Sequence, residues 1–231
     1  MDVIVEKLTK KYGETTVLND FSSSFTGGKV SVIMGKSGIG KTTLLNCIAG
    51  LADYEGKIYG VQKTSYVFQE DRLIPNLSVY DNLDFILDKN IKKEEKPKII
   101  KEILCDVELV DKATELPETL SGGQKKRVSL ARAYIAGRNV ILLDEPLNSL
   151  DTGLKAKMYA LFIRLTEKFG STAIYCTHDI DEALSVADEI KIMDGKGIIY
   201  SHVFETEKSG RDVTDAESVE VRKKIINILS E

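Results

Sequence analysis

The apolar run Val30-Ser31-Val32-Ile33-Met34 leads directly into Gly35-Lys36-Ser37-Gly38-Ile39-Gly40-Lys41-Thr42, and helical spacing follows from about Lys41 to Leu51. A buried strand, a loop spaced G-x-x-x-x-G-K-T and a helix, in that order, make a phosphate cradle. Glycines let the loop take backbone angles that turn successive N–H groups onto phosphate oxygens. The helix N-terminus adds its positive dipole end. Lys41 is the expected point charge for the β- and γ-phosphates, and the Thr42 hydroxyl an expected Mg²⁺ ligand. The nucleotide is therefore expected along Gly35, Lys36, Ser37, Gly38, Ile39, Gly40, Lys41, Thr42 and Thr43. A glycine-rich turn without a ligand is the bland alternative, disfavoured because the strand before and the helix after both agree.

With 231 residues, the chain fits one α/β domain carrying an inserted or appended lobe. Charged residues make up 29% but nearly cancel, leaving a formal net charge of −4. A nucleic-acid partner, which calls for a basic excess, is not expected. Cys47, Cys105 and Cys176 stand far apart, so neither a zinc site nor a disulfide framework is indicated and reduced thiols are the plain reading. The first residues hold no long apolar run after a basic start, so no signal peptide is expected. Apolar runs such as Val140 to Leu143 are far below the roughly 20 residues of a membrane span. A role at a membrane would need a partner to hold the chain there.

Alternation at Val3, Val5 and Leu8, and again over Phe21 to Phe25, predicts half-exposed antiparallel strands. Short strands are expected at Lys57–Tyr59 and Ser65–Phe68. From about Ser78 to Ala136 the pattern is helical, with Ser78 and Asp81 as a capping pair and Ile99, Ile100, Ile103 and Leu104 at helical spacing. Strand character returns at Val140–Asp144. A long amphipathic helix carries Leu154, Met158, Leu161, Leu165 and Phe169, with Gly170 as its cap. Thr172–Cys176 and Glu189–Met193 read as buried strands, Asp194-Gly195 as a hairpin turn before Ile198–Phe204, and roughly Asp215 to Leu229 as a last helix. The expected fold is therefore α/β with a mainly parallel sheet, an N-terminal antiparallel β subdomain and an inserted helical lobe at about 72–136, all in one domain spanning 1–231.

Ligands of such sheets sit at the carboxyl ends of strands. Asp144 ends an apolar strand and is expected to hold Mg²⁺; Glu145 follows it, placed to polarise a water. An Asp-Glu pair after a strand is ordinarily a solvated turn, but a phosphate cradle in the same chain favours the catalytic reading.

Leu120-Ser121-Gly122-Gly123-Gln124, followed by Lys125-Lys126-Arg127-Val128-Ser129-Leu130-Ala131-Arg132-Ala133 and then the Asp144 strand, separates this chain from kinases and GTPases. It is a second anion site: a serine hydroxyl and glycine N–H groups opening a helix. The combination resembles the signature motif of the ABC (ATP-binding cassette) ATPases. In that family the signature residues Ser121, Gly122, Gly123 and Gln124 of one copy would cover the γ-phosphate held by the P-loop of another, in a head-to-tail dimer.

The resemblance spans nearly the whole chain. It implies that Gln69 is the glutamine-loop residue joining core and lobe, touching the metal and completing the catalytic set with Glu145 and His178. Ser149-Leu150-Asp151 would be the D-loop, with Asp151 at the dimer interface. His178 would be the switch histidine on the γ-phosphate, while Tyr12 stacks on adenine with Val17 alongside. The structural alternatives are an ordinary surface glutamine, a structural histidine after a strand and a strand-end tyrosine. His202 reads as unremarkable surface, and Lys92-Lys93 and Lys125-Lys126-Arg127 as solvated helix faces. Asn148 departs from the small or aromatic residue of many relatives and removes no proposed ligand.

ATP and Mg²⁺ are thus the expected cofactors, and an ATPase of a membrane transporter the expected function. A free-standing cassette resembles the separate motor subunits of bacterial importers; Val67 to Leu83 looks most like those for nitrate, sulfonate, taurine or thiamine precursors. Integral-membrane permease subunits would dock near Gln69, with a solute-binding protein engaged indirectly, and the location would be cytoplasmic, peripheral on the inner face of the membrane. Cassettes for lipoprotein release, export or cell division remain alternatives. Less favoured are a non-transport ABC ATPase, for which no coiled-coil insertion or zinc cysteines are present, and a P-loop kinase.

Overall fold

A computed structural model describes residues 1–231 apart from Lys89, Ser149, Lys196 and Glu231, and of Ser209 the backbone alone. In chain order the elements are β1 (Val3–Tyr12), β2 (Thr15–Phe25), β3 (Val30–Met34), α1 (Lys41–Ile48), β4 (Glu55–Tyr59), β5 (Thr64–Val67), α2 (Val79–Asp84), α3 (Lys96–Asp106) and α4 (Gly122–Ile135). They continue with β6 (Val140–Asp144), α5 (Thr152–Phe169), β7 (Thr172–Cys176), α6 (Ile180–Val186), β8 (Glu189–Met193), β9 (Ile198–Val203) and α7 (Ala216–Ser230).

The strands form an antiparallel sheet in the order β2-β1-β4 and a six-stranded sheet in the order β5-β6-β7-β3-β8-β9. In the larger sheet every pairing is parallel except that of β8 with β9. Strands β3, β6 and β7 read as near-continuous apolar runs because both faces are covered, whereas the edge strand β9 alternates. Val32, Met34, Ile141, Leu143, Ala173 and Tyr175 face one core with α4, α5 and α6; Ile33, Leu142, Ile174 and Cys176 face another with α1 and the antiparallel sheet.

The small sheet departs from simple alternation. Val5 and Leu8 both point inward, although three residues apart, because the register shifts between them at Lys7, whose φ is +50°. A bulge there restores the parity that the pleat demands. Strand β2 likewise begins before Phe21 and runs the length of β1.

Helix α1 ends at Ile48, and Gly50 at φ +70° lets the Leu51 N–H close back on the Asn46 carbonyl. The stretch between β5 and β6 is helical, as expected. Ser78 caps α2 through the Asp81 N–H. Asn82, fully buried, ties down the approach to α2 by serving Ile74 and the Leu77 and Ser78 carbonyls. The β8–β9 turn is longer than the two residues anticipated: Asp194 N–H reaches the Gly197 carbonyl.

Three sequence readings need correction. Helix α6 was not anticipated; Asp179 caps it through the N–H groups of Asp181 and Glu182. The Lys125-Lys126-Arg127 run is not a solvated face, because α4 turns it toward neighbouring segments. Lys126 is only 1% exposed and pairs with Asp71, while Arg127 pairs with Glu108. His202 is not free surface either: its Nε2 lies 3.0 Å from Glu217 Oε1 and its ring meets Phe204 edge-on, because β9 runs beneath the start of α7.

Candidate nucleotide site

The carboxyl ends of β3, β6 and β7 lie side by side, so the loop after β3, the acids after β6 and the histidine after β7 share one edge. Met34 leads into the glycine loop. Gly40 at φ +114° caps α1, and a Cβ there would press on Val17 Cγ1 at 3.2 Å; one on Gly35 would strike the Met193 carbonyl at 2.6 Å. The same Gly40 contact places Val17 against the cradle. Tyr12, 50% exposed, ends β1 with the Lys10 ammonium 4.8 Å from its ring centre. Lys41 is buried within the loop, donating to the carbonyls of Gly35 at 2.8 Å and Lys36 at 3.2 Å. Lys36, Ser37, Gly38, Ile39 and Thr43 complete the rim, with Ile39 packed on the core beneath.

Thr42 Oγ1 donates to Asp144 Oδ1 at 3.1 Å, and the Tyr66 hydroxyl to Oδ2 at 3.4 Å. Burial pushes the Asp144 carboxyl above the usual aspartate range, the Thr42 hydrogen bond opposes this, and the Glu145 charge adds to the rise. Burial and the Asp144 charge also raise the Tyr66 phenol. No group of three His, Cys, Asp or Glu residues among the described residues could hold a metal ion by itself. Mg²⁺ takes one or two protein oxygens and completes its shell with water and phosphate. The Thr42 hydroxyl beside a desolvated carboxylate is a hard-oxygen donor pair of this kind.

Glu145 adopts φ +44°, a costly angle for a non-glycine residue, held by its N–H on the Cys176 carbonyl at 2.9 Å. Its Oε2 lies 3.2 Å from His178 Nδ1 and accepts from Asn148 Nδ2 at 2.9 Å. Asn148, set aside in the sequence, thus grips the carboxylate; a polar residue three positions on within a tight turn was the available signal. Tyr66 was missed too, for it lies inside what reads as an ordinary strand. Behind His178, Thr177 donates to buried Glu182 at 2.6 Å and accepts from the Asp179 N–H at 3.0 Å, and Asp179 pairs with Lys155 at 2.6 Å.

Gln69 is exposed on a cleft of about 430 Å³ shared with Thr42, Asn46, Tyr66 and Asp144. Ser121 and Gln124 form a capping box at the start of α4, where the Gln124 N–H meets Ser121 Oγ and Gln124 Oε1 accepts from the Ser121 N–H. Gly122 is exposed, and Gly123 is pressed on Leu154, so that a Cβ would meet Leu154 Cδ2 at 2.6 Å. Leu154 in turn gives its N–H to Asp151, the cap of α5. The signature residues therefore neighbour the Asp151 end of α5, and among the described residues no hydrogen bond joins them to the glycine loop. Ser149 lies outside the described residues.

The sequence profile of the ABC transporter family matches residues 18–148. An aliphatic sulfonates import ATP-binding protein from Paracoccus denitrificans is 38% identical over 203 residues, covering 87% of this chain and 82% of that protein. A spermidine/putrescine import ATP-binding protein from Hahella chejuensis is 43% identical over 80% of this chain, which spans only 54% of that longer protein. The dimeric post-hydrolysis structure of an ATP-binding cassette bound to ADP and Pi superposes with a TM-score of 0.75 at 30% identity, covering 89% of this chain and all of that one.

Proposed function

Starting from a chain that belongs to the ABC transporter family, as the ATP-hydrolysing motor subunit of a bacterial-type importer, we propose how its residues carry out the cycle. The observation that carries the reading is the convergence of Lys41, the Thr42–Asp144 pair and the Glu145–His178 pair on one sheet edge. Tyr12 stacks on adenine, with Val17 beside it, and Gly35 to Thr43 enclose the phosphates. Thr42, Asp144 and Gln69 would hold Mg²⁺, which would supply positive charge against the phosphates. Glu145 accepts a proton from the attacking water while His178 holds the γ-phosphoryl group. Water oxygen bonds to the γ-phosphorus, the bridging P–O bond breaks and ADP leaves.

Capped from within their own helix, Ser121 to Gln124 still present a serine hydroxyl and glycine N–H groups at a helix N-terminus, an anion site awaiting an anion from elsewhere. A second copy supplies it: the head-to-tail dimer sandwiches two ATP molecules, with Asp151 at the seam. Residues 1–231 act as one cassette, with about 72–136 as its moving lobe. The cleft between lobe and sheet presents Phe85, 67% exposed, beside Phe68 and a rim of Arg72, Arg132 and Arg138. A short helix of a membrane-embedded permease docks there and keeps the motor on the cytoplasmic face. No helix among the described residues is long and apolar enough to cross a membrane itself. Relatives named for anionic sulfonates and cationic polyamines match comparably well, as expected if the permease selects the cargo.

The test is the Glu145→Gln protein, tagged and recovered from native membranes with and without ATP. The expected result is an ATP-trapped dimer accompanied by a multi-span membrane protein. Hydrolysis at the parental rate would remove Glu145 from its role, and recovery of soluble partners alone would remove the permease.

A further inference from the structure

Lys126 stands on the face of α4 turned toward the segment after β5, and burial of its side chain is nearly complete. Its ammonium donates to the Gln69 carbonyl at 3.0 Å and lies 2.8 Å from Asp71 Oδ1. Further along the same helix, Arg132 donates to the Arg72 carbonyl at 2.8 Å. The segment 69–72 is thus clipped to α4 at both ends. Arg72 is held at φ +44°, with its guanidinium 3.8 Å from the Phe68 ring centre. Across the cleft stand Thr42 and Asp144, and among the described residues no hydrogen bond or ion pair ties 69–72 to α1 or β6. The segment is fastened on the lobe side and free on the phosphate side.

A buried ammonium is tolerated only with its partners in place, because desolvation penalises the charge otherwise. The clip is consequently all-or-none. We propose that Lys126 is a positioning residue that makes the Gln69 segment travel as one body with the helix that Ser121 opens. Approach of Gln69 to the Thr42–Asp144 pair and presentation of Ser121 to a second copy then become one motion. This rests on the roles proposed above for Gln69 and Ser121.

Lys126→Met keeps the side-chain stem and removes the donors. ATP affinity of the isolated chain should stay within about twofold, because Tyr12 and Gly35 to Thr43 are untouched. The turnover number should fall at least tenfold, and in a Glu145→Gln background the ATP concentration for dimerisation should rise at least tenfold. Lys126→Gln retains a donor for the Gln69 carbonyl and should recover both quantities to within about threefold of the parent. Should Lys126→Met fail to fold, Asp71→Asn carries the test, with turnover reduced at least threefold at unchanged KM. Parental turnover and dimerisation in a folded Lys126→Met or Asp71→Asn protein would overturn the proposal. So would a Lys126→Gln protein that melts like the parent yet is as impaired as Lys126→Met. A parent chain that neither binds nor hydrolyses ATP would instead overturn the functional reading itself.

Discussion

The amide of Asn148 and the imidazole of His178 meet the same oxygen of Glu145, Nδ2 donating to Oε2 at 2.9 Å and Nδ1 lying 3.2 Å from it. One grip comes from the turn that bears the carboxylate, the other from the end of the adjacent strand. Together with the backbone bond to Cys176 they hold a conformation that glutamate does not favour by itself.

Asn148→Ala should therefore leave Glu145 free to leave its post. A hydrogen bond to a charged group is worth about 1.5–3 kcal/mol, so turnover should fall roughly tenfold or more. The KM for ATP should stay within about twofold, since Asn148 meets no nucleotide-binding residue. Steady-state kinetics decide the matter, and a rise in KM at constant turnover would speak against a role on Glu145.

Asp144 should trade stability for function. Its carboxyl is raised in the folded chain, chiefly by burial. The folded state then holds the proton more tightly than the unfolded state, so stability drops as pH rises from the ordinary aspartate range through the raised value, and stays lower above it. Asp144→Asn should melt a few degrees higher at neutral pH, with the advantage closing in acid. Its Mg²⁺-dependent hydrolysis should fall about 10- to 100-fold. Thermal melts across pH check the sign, and a lower melting temperature at pH 7 would contradict it.

Tyr12→Ala should act on binding alone. An aromatic stacking contact is worth about 1–3 kcal/mol, so the Kd for ATP should rise roughly tenfold while turnover at saturation is unchanged. Nucleotide titration by fluorescence separates the two.

Glu182 accepts hydrogen bonds from Tyr175 and Thr177 while 1% exposed, with burial holding its carboxyl above the usual glutamate range. Glu182→Ala leaves two buried hydroxyls without their acceptor and opens a cavity, at a cost of about 2–5 kcal/mol. Urea unfolding should show a lower midpoint with an unchanged slope. Turnover should fall as well, because Thr177 anchors the Asp179 N–H on the far side of His178.

Four of the six strands of the larger sheet were legible residue by residue: Val30–Met34, Val140–Asp144, Thr172–Cys176 and Glu189–Met193 stand at the expected bounds, while β5 and β9 each differ by one residue. Burial on both faces writes itself as unbroken apolar runs. Helix α6 escaped notice because its seven residues are too few for periodicity to declare itself, leaving only Asp179 and the acids behind it as a sign. The bulge at Lys7 was hidden because the three-residue step from Val5 to Leu8 breaks strand alternation without naming the residue that absorbs the extra position.

The local form of contiguous motifs was legible in the sequence itself. The glycine loop stands between its strand and its helix, and Ser121 to Gln124 are four consecutive residues, so local spacing suffices to mark both motifs. Pairings across the chain were decided only by the tertiary structure. Tyr66 meets Asp144 across 78 positions and Lys126 reaches Gln69 across 57. A lysine ordinarily stays in water and is buried only where acceptors meet its ammonium, and its own neighbours in the chain do not say which case holds. Only the packing of α4 against the segment after β5 excludes water from Lys126, and that exclusion turns an apparent surface charge into a structural tie.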